Sequence, residues 1–133
     1  MSVEFRISPL IDDRELSELH RLAFESNSTA IIPWSTQMNR HSVVWVTAED
    51  RSSLVGFVNV VGDGGAHAFI LDTVVLPERQ GEGIGVGLIE VATAAARSRG
   101  YEWLHVDFEP DLAEFYLSRC GFQPTKAGLI RLR

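Results

Sequence analysis

Two features of the sequence combine residue types and spacings suited to chemistry. The run Gln80-Gly81-Glu82-Gly83-Ile84-Gly85-Val86-Gly87 sets four glycines at alternate positions, between an apolar run and a helical pattern. The first N–H groups of a helix have no partners inside it and carry the positive end of its dipole. Glycines let a ligand approach that backbone closely, so the run suits an anion, most naturally a phosphate or pyrophosphate. Trp103, His105, Asp107 and Glu109 share one side of an extended stretch at period two. A histidine with a neighbouring acid is a sound base near neutral pH, and a half-exposed polar strand face is the other reading of the same four residues. Cys120, beside Gly121, reads as a small buried residue rather than a nucleophile.

Simpler assignments of the glycine run meet obstacles. A phosphate-loop NTPase needs Lys followed by Ser or Thr after the last glycine, and here Val86 and Gly87 follow Gly85. A dinucleotide-binding turn needs G-x-G-x-x-G. The two registers put Val86 or Leu88 at the third glycine, although Asp107 lies where a ribose-binding acid would stand. A turn that serves only helix–strand packing needs fewer glycines. His105, Asp107 and Glu109 could be read as metal ligands, but three ligands from one extended segment seldom converge on one ion. No metal is expected.

The elements that must position these residues follow from periodicity. Residues 3–8 alternate as a strand, and Asp12 or Asp13 can cap a helix running to about residue 25. Residues 33–41 suit a short helix with Pro33 in its first turn. Strands are predicted over 43–48, 54–61 and 66–76, joined by turns at 50–53 and 62–65. The third of these is apolar on both faces, as a central strand would be. At period two Asp72 falls on the face opposite Leu71 and is read as structural. A helix over 88–99 ends at Gly100, and a strand over 103–108 follows. Asp111 with Glu114 resembles a capping box for a helix over 112–119. Residues 122–133 supply one or two last strands. His20 and His41 stand in no motif. One domain spans 1–133, an α/β (mixed α+β) fold with helices on both faces of a mixed sheet.

Gln80-Gly81-Glu82-Gly83-Ile84-Gly85 resembles the acyl-CoA signature Q/R-x-x-G-x-G/A of the GNAT N-acetyltransferase superfamily. The resemblance extends upstream through Val74-Val75-Leu76-Pro77-Glu78. Downstream, Phe115-Tyr116-Leu117-Ser118-Arg119-Cys120-Gly121-Phe122 is similar to the family's F-Y-x-x-x-G-F segment. The element order fits over the whole chain. The resemblance implies a mostly antiparallel sheet of six to seven strands, about four helices, and a splay between the fourth and fifth strands. It implies acetyl-CoA as co-substrate, bound by Gln80, Gly81, Glu82, Gly83, Ile84, Gly85 and Val86 at its pyrophosphate. Thr73, Val74 and Val75 would pair with its pantetheine arm as an added strand. An amine would attack directly, with a backbone N–H near Val74 or Val75 as oxyanion donor.

Tyr116 matches the tyrosine often given the role of acid toward the departing thiolate. It also shares a helical stripe with Leu112 and Phe115, as a core tyrosine would. With a one-residue loop difference, His105 falls where some members carry a catalytic glutamate, and Asp107 is its neighbouring acid. Phe69 and Leu71 occupy positions of histidines that other members use, and cannot titrate. Glu109-Pro110-Asp111 stands where the family often has Asn.

Composition bounds the rest. Of 133 residues 45% are hydrophobic and 23% charged, which excludes a disordered chain or a collagen-like repeat. The net charge of −6 argues against nucleic acid as a partner. The single cysteine cannot form an internal bridge. No apolar run approaches the ~18 residues of a membrane span, and Met1-Ser2-Val3-Glu4-Phe5-Arg6 lacks a signal-peptide pattern. A cytoplasmic protein without membrane partners is expected. The expected activity is acetyl-CoA-dependent N-acetylation of a primary amine on a small molecule or peptide. The alternative is a non-catalytic acyl-CoA-binding or regulatory module. Residues 26–41, with Trp34, would shape the acceptor pocket, and homodimers are frequent in the family.

Overall fold

The computed structural model describes residues 3–133. Strand β1 (Val3–Ile7) pairs with β2 (Ser42–Asp50), β2 with β3 (Ser53–Gly62) and β3 with β4 (His67–Val75), all antiparallel. The short β5 (Trp103–Val106) then pairs with β4 in parallel, giving a five-stranded sheet in the order β1-β2-β3-β4-β5. The β2–β3 hairpin turns on Arg51 and Ser52, both at positive φ, as a tight two-residue turn requires.

Helix α1 (Asp13–Ala23) is capped by Asp12, whose Oδ1 accepts from the Glu15 N–H at 3.0 Å. Its apolar stripe, Leu16 and Leu19, packs with Trp34 and Met38 of α2 (Trp34–His41) against Phe57 and Val74 on one sheet face. Helix α3 (Ile84–Ser98) covers the other face, packing Leu88, Ile89 and Ala92 against Val44, Val46, Val58 and Val60. It begins four residues earlier than periodicity places it, so Gly85 and Gly87 lie inside it. A Cβ on Gly87 would collide with the Phe5 ring, so the glycine lets α3 close onto β1.

The expected mixed, mostly antiparallel sheet with helices on both faces is present, but six to seven strands are not. Residues 122–133 form no strand. A strand exists only through its ladder, and among the described residues this segment forms none; Pro124 lacks an N–H, and Leu129, Ile130 and Leu132 remain exposed. The predicted capping box is also absent. Instead Pro110–Leu112 forms a single 3₁₀ turn, and the fourth helix, α4 (Glu114–Arg119), is wound as a π-helix with no side-chain cap.

Phe57 lies fully buried, with its ring 6.0 Å from that of Trp34, between the sheet and α1–α2. Phe57→Ala is expected to lower unfolding free energy by about 3–5 kcal/mol through lost burial and the cavity left behind. Equilibrium urea unfolding measures this as a lower midpoint with an unchanged slope.

Candidate functional site

The β4–β5 ladder runs from His67↔Trp103 to Ile70↔Val106 and stops there. Strand β4 continues to Val75, so residues 71–75 have no β5 partner and the two strands open into a wedge. At its apex β4 carries a bulge. Phe57 opposes Val74 and Asn59 opposes Leu71, so three steps on β4 face two on β3. Asp72 occupies the bulge at φ 56°, a left-handed conformation that aspartate tolerates better than most residues.

The bulge overturns a prediction of strand parity. Ile70 packs in the α3-side core and Val74 in the α1-side core, although both are even-numbered. Asp72 therefore faces α1, and its Oδ1 lies 3.2 Å from His20 Nε2. The His20 ring in turn lies 4.6 Å from Phe24 and 5.1 Å from Trp34. Trp34 is a buried core residue more than a pocket wall; its Nε1 donates to Ser17 Oγ at 3.2 Å, and one edge supports His20.

Below the wedge, β4 leads through the 3₁₀ turn Pro77–Arg79 into the glycine run. Gly81 and Gly83 have φ of 84° and 87°, and Gly83 is the N-cap of α3 with no side-chain cap bond. A Cβ at either would meet nothing within 4 Å, so backbone conformation rather than crowding demands glycine there. The first turn of α3 holds no acidic residue. No side chain caps its leading N–H groups, and the helix dipole stands behind them. Arg79 shapes the turn: its Nε donates to both Glu82 oxygens at 3.0 and 3.1 Å, and its Nη1 to Asp50 Oδ2 at 3.0 Å. Those carboxylates raise the Arg79 guanidinium further above its ordinary value. The bonds from Arg79 also hold the Glu82 side chain in place. Gln80 Nε2 reaches back to the Val75 carbonyl at 3.4 Å.

Tyr116 on α4 is buried among rings, with Phe108, Phe115 and Phe122 at 5.2, 4.8 and 5.9 Å. Burial raises its phenol above the ordinary value, and a loose interaction with the Thr73 hydroxyl offsets part of that. Thr73 Oγ1 itself is buried and makes no well-formed hydrogen bond among the described residues. The ring of Tyr116 thus lies in the core, as the core-tyrosine reading expects, with its hydroxyl toward Thr73. Burial likewise pushes the Cys120 thiol up, although the neighbouring Arg119 draws it down. The thiol is held protonated, not activated.

His105 and Asp107 are not brought together. His105 Nε2 lies 2.8 Å from His67 Nδ1, and its ring stacks on Phe69 at 4.6 Å. Asp107 is exposed beyond the end of β5. Among the described residues no three His, Cys, Asp or Glu side chains stand close enough to hold a metal ion. Nor is any helix long and apolar enough to cross a membrane.

A family model described as "Acetyltransferase (GNAT) family" matches residues 12–122. A mycothiol acetyltransferase of Nocardia farcinica (strain IFM 10152) is 37% identical over 60 residues, 45% of this chain and 20% of that protein. The chain spans between 20% and 41% of the length of the curated relatives it matches. Among solved structures, a GNAT family acetyltransferase from Streptococcus pneumoniae TIGR4 superposes with a TM-score of 0.78 at 23% identity, over 99% of this chain and 100% of its own. One from Brucella melitensis, in complex with acetyl-CoA, superposes with a TM-score of 0.74 at 22% identity, over 92% of this chain and 84% of its own. At such identities the structural likeness concerns the fold.

Proposed function

The chain belongs to the acetyltransferase (GNAT) family, and from that premise we propose that it transfers an acetyl group from acetyl-CoA to a primary amine. The observation that carries this reading is the wedge, in which residues 71–75 of β4 are paired with β3 alone, lack a β5 partner, and lead through one turn into the glycine run. Unpaired strand N–H and C=O groups offer a ladder to an extended ligand. Thr73, Val74 and Val75 supply that ladder to the amide-bearing arm of the donor. Gln80 and the backbone of residues 81–86 hold its pyrophosphate. The buried, poorly bonded Thr73 Oγ1 fits this assignment, because a buried hydroxyl without a partner costs about 1–3 kcal/mol until something satisfies it.

Acetyl-CoA supplies the activated acetyl group. A backbone N–H at Val74 or Val75 polarises the thioester carbonyl. Tyr116, protonated at neutral pH as any phenol is and pushed further up by its burial, gives a proton to the departing sulfur. The acceptor approaches from the α1–α2 side, and the net negative charge of the chain favours a cationic or neutral amine over an acid.

The test is release of CoA thiol from acetyl-CoA against a panel of polyamines, aminoglycosides, arylalkylamines and peptide N-termini. Release with one class, and acetylation of that amine, is the expected result. A protein that binds acetyl-CoA tightly but turns over no amine would instead be a binding or regulatory module.

A further inference from the structure

The geometry points to His20 and Asp72 as the proton-accepting pair for the incoming amine, with His20 catalytic and Asp72 positioning it. This rests on the acetyltransferase reading above. Asp72 directly precedes Thr73, the first β4 residue assigned to the donor arm, so its Cα lies about 3.8 Å from that of Thr73. The bulge turns its carboxylate away from the α3 core and onto α1. A regular strand would not place it there.

The carboxylate at 3.2 Å from His20 Nε2 favours the tautomer with the proton on Nε2. Nδ1 is then the nitrogen with the free lone pair, and among the described residues it has no hydrogen-bond partner. Both side chains are partly open to solvent, at 23% and 31%. Phe24 and Trp34 flank the ring and limit its rotation. The site thus holds a base and the group that orients it, with the base's free nitrogen available to a ligand. The charged group facing His20 from β4 is Asp72. From α2 comes the uncharged Trp34, and from the C-cap of α1 Phe24, while Glu18 and Arg21 on that helix are paired with each other.

His105, the base the sequence suggests, is less well suited. It is bonded to His67, stacked on Phe69, and on the ladder before the wedge opens. In the step assigned here, the amine nitrogen bonds to the carbonyl carbon and the carbon–sulfur bond breaks. One amine proton passes to His20 Nδ1, directly or through one water, and Tyr116 gives its proton to the sulfur. Water then takes the proton from His20 and restores the one lost by Tyr116.

The experiment measures kcat/KM for an accepted amine between about pH 5 and 9, the span in which an imidazole changes charge. It uses the wild-type protein, His20→Gln, His20→Phe, Asp72→Asn and His105→Gln, with acetyl-CoA affinity and melting temperature recorded for each. The expected result is a loss of about 10²-fold for both His20 variants, with the acid limb gone and acetyl-CoA affinity kept. His20→Phe retains a ring between Phe24 and Trp34, which separates lost packing from lost chemistry. Asp72→Asn should lower kcat by about 10-fold with the KM for the amine within about twofold, because the amide no longer fixes the Nε2 proton that leaves Nδ1 free. His105→Gln should keep the wild-type profile. His20 variants that keep rate and limb, while the wild-type protein transfers acetyl groups, overturn this inference alone. A wild-type protein that does not bind acetyl-CoA overturns the reading beneath it.

Discussion

Gly83→Ile is expected to weaken acetyl-CoA binding by at least about 100-fold, or roughly 2.7 kcal/mol. Two effects combine. The position is left-handed at φ 87°, where a β-branched residue costs about 1–2 kcal/mol or more. The added side chain also stands at the N-cap of α3, over the N–H groups assigned to the pyrophosphate. Gly83→Asn is the informative companion, since asparagine accepts left-handed backbone. It should fold with little loss of stability and bind with an intermediate affinity. Calorimetric titration measures both. Binding by Gly83→Ile at the wild-type affinity would remove the glycine turn from the donor site.

Tyr116→Phe should lower kcat by about 10²–10³-fold, the usual worth of a positioned acid, while leaving acetyl-CoA affinity within about twofold. The ring environment of Phe108, Phe115 and Phe122 accepts phenylalanine without a new cavity, so stability should change little. The pH dependence has a definite sign. The acid must be protonated to act, and burial raises its phenol. The part of the profile that Tyr116 governs therefore holds through neutral pH and falls on the alkaline side, as pH rises through the value in the folded protein, whereas the acid limb belongs to the base. In Tyr116→Phe that alkaline fall disappears with the lost rate. CoA-thiol release measured against pH reads both effects. A variant with full kcat would leave Tyr116 as a core residue.

The parts of this fold that depend on local pattern were legible in the sequence. The Asp12 cap, the α3 stripe of Leu88, Ile89 and Ala92, the meander from β2 to β4 and the glycine turn each follow from spacing or turn chemistry. The bulge does not. Phe69, Ile70, Leu71, Val74 and Val75 make β4 apolar on both faces, so a one-residue slip leaves no mark on the pattern. With the bulge hidden, period two puts Asp72 on the face opposite Leu71, and His20, fifty-two residues away, shows no partner.

The same limit applied to His105. Its bond to His67 crosses a parallel ladder whose register depends on α3 and the loop after it. Sequence spacing offered Asp107 instead, which lies beyond the end of the strand. The last segment failed for a different reason. Alternating or apolar residues such as Leu129, Ile130 and Leu132 suggest a strand, but pairing is not a local property.

The most direct test of the central claim follows backbone amides by NMR while acetyl-CoA is added, with NADH as control. The account predicts saturable changes at Thr73, Val74 and Val75 and at the amides of residues 81–86, at micromolar acetyl-CoA and not with NADH. An unchanged spectrum, or changes confined to the His67–His105 side of the sheet, would contradict it.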